Sequence, residues 1–205
     1  MSETEQAGLI DRREAIRRVS ALLGGIAFVG GSALLTACER RPRGAASGAG
    51  VGTFTTADVG FLDEVAETIL PETKTPGAKA AKVGAFMALM VTDTYDERDQ
   101  QIFRDGMRKL DAACQTMHNA SFMEASPAQR LALLEQLDRE QKAHMDARVA
   151  DAPAHYFRMM KELTLLGYFT SEIGYTQAMR YVESPGRFDP CVRYSPGETI
   201  WAPHA

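Results

Sequence analysis

The chain has 205 residues and a formal net charge of −4. This length is enough for one domain with one hydrophobic core. A mildly acidic chain is a poor candidate for binding the phosphate backbone of nucleic acid, so we expect no nucleic-acid partner.

Residues 1–38 are predicted to be a targeting segment that is not part of the fold. Arg12 and Arg13 precede an apolar run rich in Gly and Ala, which is the order of a basic region followed by a hydrophobic region. The consecutive arginines indicate a twin-arginine signal, hence export by the Tat translocase to the periplasm. The alternative is a retained transmembrane anchor. The many small and polar residues in the apolar run would make it a weak membrane span.

The apolar run ends at Cys38, in the sequence Leu-Thr-Ala-Cys, which resembles the lipobox of bacterial lipoproteins. Two acyl chains on Cys38 would hold the protein to a membrane surface, whereas one chain binds only marginally. Residues 39–53 follow as a flexible linker rich in Gly, Ala and Ser. We therefore expect membrane association. The alternative is that the leader is cleaved and Cys38 is not acylated.

Residues 54–182 are predicted to fold as a single compact all-α domain of about five to six helices, because apolar residues recur at helical spacing. Caps and prolines place the helices. The predicted helices run from Thr55 or Thr56 to Pro71, from Ala81 to Thr94, from Asp96 to about Met117, from Ser126 to about Ala150, from Asp151–Pro153 to Leu166 or beyond, and from Ser171 to about Tyr181.

The apolar stripes of three helices indicate which side chains are buried. Cys114 falls on one stripe, so we interpret it as a buried thiol that packs as a small hydrophobe. The stripe of the third helix holds Phe103, Met107, Leu110, Ala113, Cys114 and Met117. Those of the fourth and fifth hold Leu131, Leu134 and Leu137, and Tyr156, Phe157, Met160, Leu163 and Leu166. Between the first two helices, residues 71–78 form a proline-bracketed loop whose polar side chains suit a surface contact.

Residues 183–205 are predicted to be an extended tail, because four prolines exclude a helix. Disordered tails lack aromatic residues, whereas this one carries Phe188, Tyr194 and Trp201. Aromatic and Arg side chains often anchor interfaces, so these three residues are the predicted partner-docking residues. The alternative is that the tail packs back on its own helices.

The sequence contains none of the common motifs for nucleotide, metal or haem binding or for nucleophilic catalysis. Glu140 and His144 lie one helical turn apart, but a metal site needs three or four ligands and the sequence has no second Glu/His pair. We therefore assign no catalytic, cofactor-binding or metal-binding residue. A small exported helical domain of this kind is most simply the partner of another protein.

Several ordered segments resemble the gluconate 2-dehydrogenase subunit 3 family, and together they span nearly all of the chain after the linker. They are residues 54–55, 69–73, 75–78, 167–174, 185–191, 196–197 and 201–202. The twin-arginine leader is also usual for that family.

The resemblance implies the small (gamma) subunit of a membrane-associated sugar or alcohol dehydrogenase. The catalytic subunit would be an FAD-dependent flavoprotein of the glucose–methanol–choline type, and a multihaem cytochrome c subunit often completes such complexes. The small subunit would supply the export signal and help its partner to fold, so FAD and haem c would lie in other chains.

On this interpretation, Cys191 is a candidate for a disulfide with the catalytic subunit, because it lies in a proline-flanked turn of the tail of an exported chain. A free thiol and an internal bridge to Cys114 are the alternatives for Cys191.

The whole chain also has two alternative interpretations. One is a stand-alone periplasmic lipoprotein that acts as an interaction module, and the other is an enzyme whose site the sequence does not reveal.

Overall fold

Five α-helices and one π-helical turn make up the regular structure of the residues that the computed structural model describes, which are 50–184, 186–187 and 191–202. They are α1 (Thr56–Ile69), α2 (Val83–Thr94), α3 (Glu97–His118), α4 (Pro127–Asp146), α5 (Tyr156–Phe169) and the π-helical turn (Gly174–Ala178). Strand-like pairing in these residues is limited to two isolated bridges, so the predicted all-α class is confirmed. No helix in these ranges has the length and hydropathy to cross a membrane.

Three of the helices begin at the predicted N-caps. The side chain of Thr55 accepts a hydrogen bond from the backbone N–H of Asp58, whose carboxylate accepts one from the backbone N–H of Thr55. Ser126 and Gln129 form the same reciprocal pair at α4, and Asp96 caps α3. These side chains satisfy backbone N–H groups that the first helical turn leaves without a partner.

The start of α2 depends on a different helix. Lys82, which precedes α2, has a left-handed backbone (φ 57°) and provides no side-chain cap. Instead, Oδ1 of Asp63 in α1 accepts a hydrogen bond from the backbone N–H of Gly84 at 2.8 Å. A β-carbon at Gly84 would lie 2.6 Å from that carboxylate, so the position requires glycine. The helix predicted from Ala81 therefore begins at Val83.

The central element is α5, which packs against each of the other four α-helices. Its buried face is accordingly wide and includes both predicted and additional residues: Phe157, Met159, Met160, Leu163, Thr164, Gly167 and Tyr168. Thr164 is fully buried, and its hydroxyl donates a hydrogen bond to the Met160 carbonyl at 2.8 Å.

The prediction that Cys114 is a buried thiol on α3 is confirmed, and burial raises the pKa of this thiol.

Three predicted core positions are wrong. Leu131 of α4 is 48% exposed, and Leu133 is buried in its place. Leu166 of α5 and Met117 of α3 are also exposed. In each case the helical period is right, but contacts with neighbouring helices select a slightly rotated face, and spacing alone does not fix that rotation.

The ends of the last three helical segments also differ from the prediction. The fourth helix ends at Asp146, before Ala150. The fifth helix begins at Tyr156, later than predicted. Helical backbone geometry is unfavourable for Ala152 because Pro153 follows it. His155 then caps the helix. The sixth is reduced to the π-helical turn, for which Ser171 accepts a hydrogen bond from the backbone N–H of Gly174 at 3.0 Å.

The last residues of the predicted linker contact the helical domain. Val51 and Phe54 form an isolated bridge. The Arg104 side chain of α3 donates a hydrogen bond to the Thr53 carbonyl at 3.2 Å and lies 4.3 Å above the Phe54 ring. Residues 51–54 therefore pack on the helical domain.

Candidate partner-docking surface

The described residues do not assemble a metal site: no group of three or more His, Cys, Asp or Glu side chains is suitably placed there. The features that stand out are surface segments held in fixed positions. They lie around the end of α5, where the proline-bracketed loop, α2 and the π-helical turn all approach this helix.

The proline-bracketed loop (residues 71–78) closes around one carboxylate. Glu67, in the last turn of α1, accepts hydrogen bonds from the backbone N–H groups of Glu72 at 2.9 Å and Lys79 at 2.8 Å. A β-carbon at Gly77 would lie 2.2 Å from the same carboxylate. The glycine of the loop is therefore required for the backbone to approach Glu67 this closely.

A second anchor connects the loop to α5. The hydroxyl of Tyr168 donates a hydrogen bond to the Pro76 carbonyl at 2.7 Å, and the backbone N–H of Ala78 donates to the Leu70 carbonyl at 2.9 Å. Gly77 and Ala78 are buried, whereas residues 71–74 are exposed. The loop thus has a fixed base and presents its polar tip to solvent.

Beside this loop, the end of α5 presents an apolar face, defined here as Leu165, Leu166 and Phe169. All three side chains are exposed. The preceding turns of the same side of the helix carry an ion pair between Arg158 and Glu162. The Phe169 ring packs edge-on against Tyr168, with 5.2 Å between the ring centroids, so the apolar face and the loop are connected through neighbouring side chains.

The neighbouring helix α2 has no charged residue from Val83 to Thr92. The two helices are in close contact, because a β-carbon at Gly167 would lie 2.6 Å from the Phe86 ring. Leu89 of α2 is exposed although it is a large apolar residue. Adjoining helices therefore both expose apolar side chains, as protein-binding surfaces commonly do.

A separate groove of about 320 Å³ lies between α1, α4 and α5. Its apolar lining includes the exposed Leu131, and an ion pair between Asp138 and Lys161 lies at its edge with 2.5 Å between the charged atoms. The groove is lined by Thr68, Ile69, Leu131, Leu134, Glu135, Asp138, Arg139, Phe157 and Lys161.

The described end of the tail returns to its own chain through what we call the C-terminal clasp, formed by Arg180 with residues 200–202. The backbone N–H of Arg180 donates to the Ile200 carbonyl, and the backbone N–H of Ala202 donates to the Arg180 carbonyl, both at 2.8 Å. The Arg180 guanidinium also lies 4.7 Å above the Trp201 ring. Residues 200–202 of the tail thus pair with Arg180, which lies just before the tail begins.

The predicted docking residues Tyr194 and Trp201 are 62% and 46% exposed, so the clasp leaves about half of the indole accessible. Phe188 lies outside the described residues, as do Arg12, Arg13 and Cys38. Cys191 is exposed and Cys114 is buried.

Sequence reasoning did not identify Glu67, Tyr168 or Arg180 as anchors. Glu67 carried a usable signal, because a carboxylate in the last turn of a helix opposes the helix dipole and needs a local reason. The partners of Tyr168 and Arg180 are distant in the sequence, so only the folded chain reveals them.

Comparisons with curated proteins and with solved structures found no match. A family model described as gluconate 2-dehydrogenase subunit 3 matches residues 57–186, from the first turn of α1 past the π-helical turn. The match covers more than half of the chain and includes the loop anchors and the apolar face. The chain therefore belongs to the gluconate 2-dehydrogenase subunit 3 family.

Proposed function

We propose that this chain is the non-catalytic small subunit of an FAD-dependent sugar or alcohol dehydrogenase complex. The observation that supports the proposal is the family match over residues 57–186, because the family is named for a subunit of gluconate 2-dehydrogenase. In this proposal FAD is held by a catalytic subunit of the glucose–methanol–choline type, and a multihaem cytochrome c subunit carries electrons onward.

The second part of the proposal is export. Arg12 and Arg13 would direct the chain to the Tat translocase, which accepts folded cargo, so a catalytic subunit without its own signal could cross bound to this chain. The small subunit would also help its partner to fold and remain stable. After export, an acylated Cys38 would associate the complex with the periplasmic side of a membrane.

The apolar face and the proline-bracketed loop are the surfaces that we assign to contact with the catalytic subunit. Exposed apolar side chains beside a rigid polar loop provide the apolar centre and polar rim that are typical of protein interfaces. Because Glu67 and Tyr168 fix the loop in the free subunit, docking would cost little conformational entropy.

The decisive experiment is co-expression with a flavoprotein encoded beside this gene, followed by pull-down from periplasmic and membrane fractions through a tag on this chain. We expect a yellow, FAD-containing protein to co-purify. Replacing Arg12 and Arg13 by lysine should leave that protein in the cytoplasm. If this chain is recovered alone and the replacement does not change the location of the flavoprotein, a stand-alone periplasmic lipoprotein becomes the better description.

Cys191 is the residue that we assign to a disulfide with the catalytic subunit. It is exposed, whereas Cys114 is buried and therefore poorly placed for such a bond. On a non-reducing gel of the purified complex, the two subunits should migrate together, and Cys191→Ser should separate them. A complex whose subunits separate fully without reductant would contradict this assignment, and Cys114→Ser provides the matched control.

A further inference from the structure

The connection between α4 and α5 is held at both ends by histidine rings that lie close together. Nε2 of His144, in the last turn of α4, lies 3.2 Å from the Pro153 carbonyl, to which it donates a hydrogen bond. Nδ1 of His155 accepts a hydrogen bond from the backbone N–H of Phe157 at 3.2 Å and so caps α5. The centroids of the two rings are 5.6 Å apart.

The two hydrogen bonds respond differently to protonation. His144 donates through Nε2 and continues to donate as an imidazolium. His155 accepts through Nδ1, and an imidazolium has no acceptor nitrogen, so protonation removes the cap of α5. The charge would also lie at the N-terminus of a helix, where the helix dipole disfavours a cation.

The groups around His155 mostly oppose its protonation. Burial, followed by the nearby His144 of α4, lowers the pKa of His155 below its ordinary value. Lys109 of α3 acts in the same direction, and Glu140 of α4 acts against them. Tyr156 stacks on the ring with 4.5 Å between centroids and stays neutral, because burial raises its pKa to about 12.

We propose that His155 is an acid-sensitive cap, whose protonation uncaps α5 and releases the first turn of that helix. This inference rests on the contacts of the two rings and is independent of the proposed function. A histidine with a lowered folded-state pKa contributes stability that is complete above its unfolded value, about 6.5. That stability is lost as the pH falls below this value, so release occurs on the acidic side of neutrality.

The ring tautomer provides the first test. Nitrogen NMR of the full chain at about pH 7.5 should show His155 protonated on Nε2, since Nδ1 must accept from Phe157. Protonation on Nδ1 at this pH would overturn the proposal without the need for a variant.

Amide hydrogen exchange, corrected for the intrinsic effect of pH on the exchange rate, provides the second test. Between about pH 7.5 and about pH 5 the protection factor of the Phe157 amide should fall about fivefold or more. A fivefold change corresponds to the stability that a typical N-cap contributes to a helix. Amides in the middle of α1, such as that of Val65, should change little. Equal changes at both sites would indicate general loosening and would overturn the proposal.

Two variants separate the cap from the charge. His155→Asn supplies a cap that does not titrate, so its Phe157 amide should keep its protection at both pH values. His144→Gln keeps a donor for the Pro153 carbonyl but removes a charge near His155, so release should begin at a slightly higher pH. Persistence of the full acid effect in His155→Asn, with helix content matched by circular dichroism, would overturn the proposal.

Discussion

At the scale of single residues, Arg130 of α4 joins segments that are far apart in the sequence. Its Nη1 lies 2.5 Å from Oε2 of Glu64 in α1. Its other nitrogens donate hydrogen bonds to the carbonyls of Phe122 and Met123 at 2.8 and 2.7 Å. Only 15% of the side chain is exposed. The arginine thus satisfies a carboxylate and two carbonyl groups in a site with little water.

We expect Arg130→Met to lower the free energy of unfolding by about 2–3 kcal/mol, because the methionine keeps the apolar stem but leaves the two carbonyls and Oε2 of Glu64 without their donor, while Oε1 keeps its pair with Lys79. The matched control is Arg108→Met in α3, whose pair with Asp105 is largely exposed, with 69% of the Arg108 side chain accessible. That change should cost less than about 0.5 kcal/mol. Urea unfolding of both variants measures the difference, and equal losses would contradict the role given to Arg130.

Residue-level contacts were predictable only where they are local. The capping pair of Thr55 and Asp58 lies within four consecutive residues, so it can be predicted from the sequence alone. The contact of Arg130 with Glu64 spans 66 positions. Either residue alone looks like an ordinary charged residue on the polar face of a helix. Long-range partners of this kind depend on the packing of whole elements.

At the scale of elements, the helices were predictable in kind and number, because apolar period and capping residues agree along most of the chain. Their faces were less predictable. Spacing allowed Leu131 or Leu133 on the buried side of α4, and the neighbouring helices select Leu133. The start of α2 was misplaced because its cap comes from Asp63 of α1 and not from an adjacent residue.

The proline-bracketed loop gives a prediction at the same scale. In Gly77→Ala the added methyl group would collide with the Glu67 carboxylate, so the loop must give up one or both hydrogen bonds to Glu72 and Lys79. We expect a loss of about 1–3 kcal/mol in urea unfolding.

Gly60→Ala in α1 is the control for this substitution, because nothing lies within 4 Å of its added β-carbon. Alanine is favoured over glycine inside a helix, so this variant should be stabilised by up to about 1 kcal/mol. A neutral Gly77→Ala would show that Glu67 does not constrain the loop.

At the scale of the whole molecule, the candidate surface combines features that the sequence indicates with others that it does not. The polar loop was predicted from its two prolines. The apolar face was not, because α5 contacts four helices and the side that they leave uncovered depends on the complete packing. Leu166 was assigned to the core because helical spacing alone does not show which side of α5 stays uncovered. Its exposure makes it a candidate for contact with another protein.

Two leucines with nearly equal exposure allow the docking surface to be tested. Leu166 on the apolar face is 45% exposed, and Leu131 in the groove is 48% exposed. Leu166→Glu should weaken binding of the co-expressed flavoprotein by about tenfold or more, because a charge would be buried at an apolar contact. Leu131→Glu should bind as the unchanged chain does.

Titration of the purified flavoprotein with each variant by calorimetry measures both affinities. Circular dichroism at the same temperature confirms that both variants are folded. A larger loss from Leu131→Glu than from Leu166→Glu would move the contact to the groove between α1, α4 and α5.

The hydrogen bond from Tyr168 to the Pro76 carbonyl has a consequence for the timing of synthesis. The two residues are 92 positions apart, so a ribosome that has just added Pro76 must continue for roughly 5 to 20 seconds before Tyr168 exists. Until Tyr168 has been made, the loop lacks this anchor. The surface is therefore complete only on a chain translated beyond α5, and a prematurely terminated chain would present an unfinished loop to any partner.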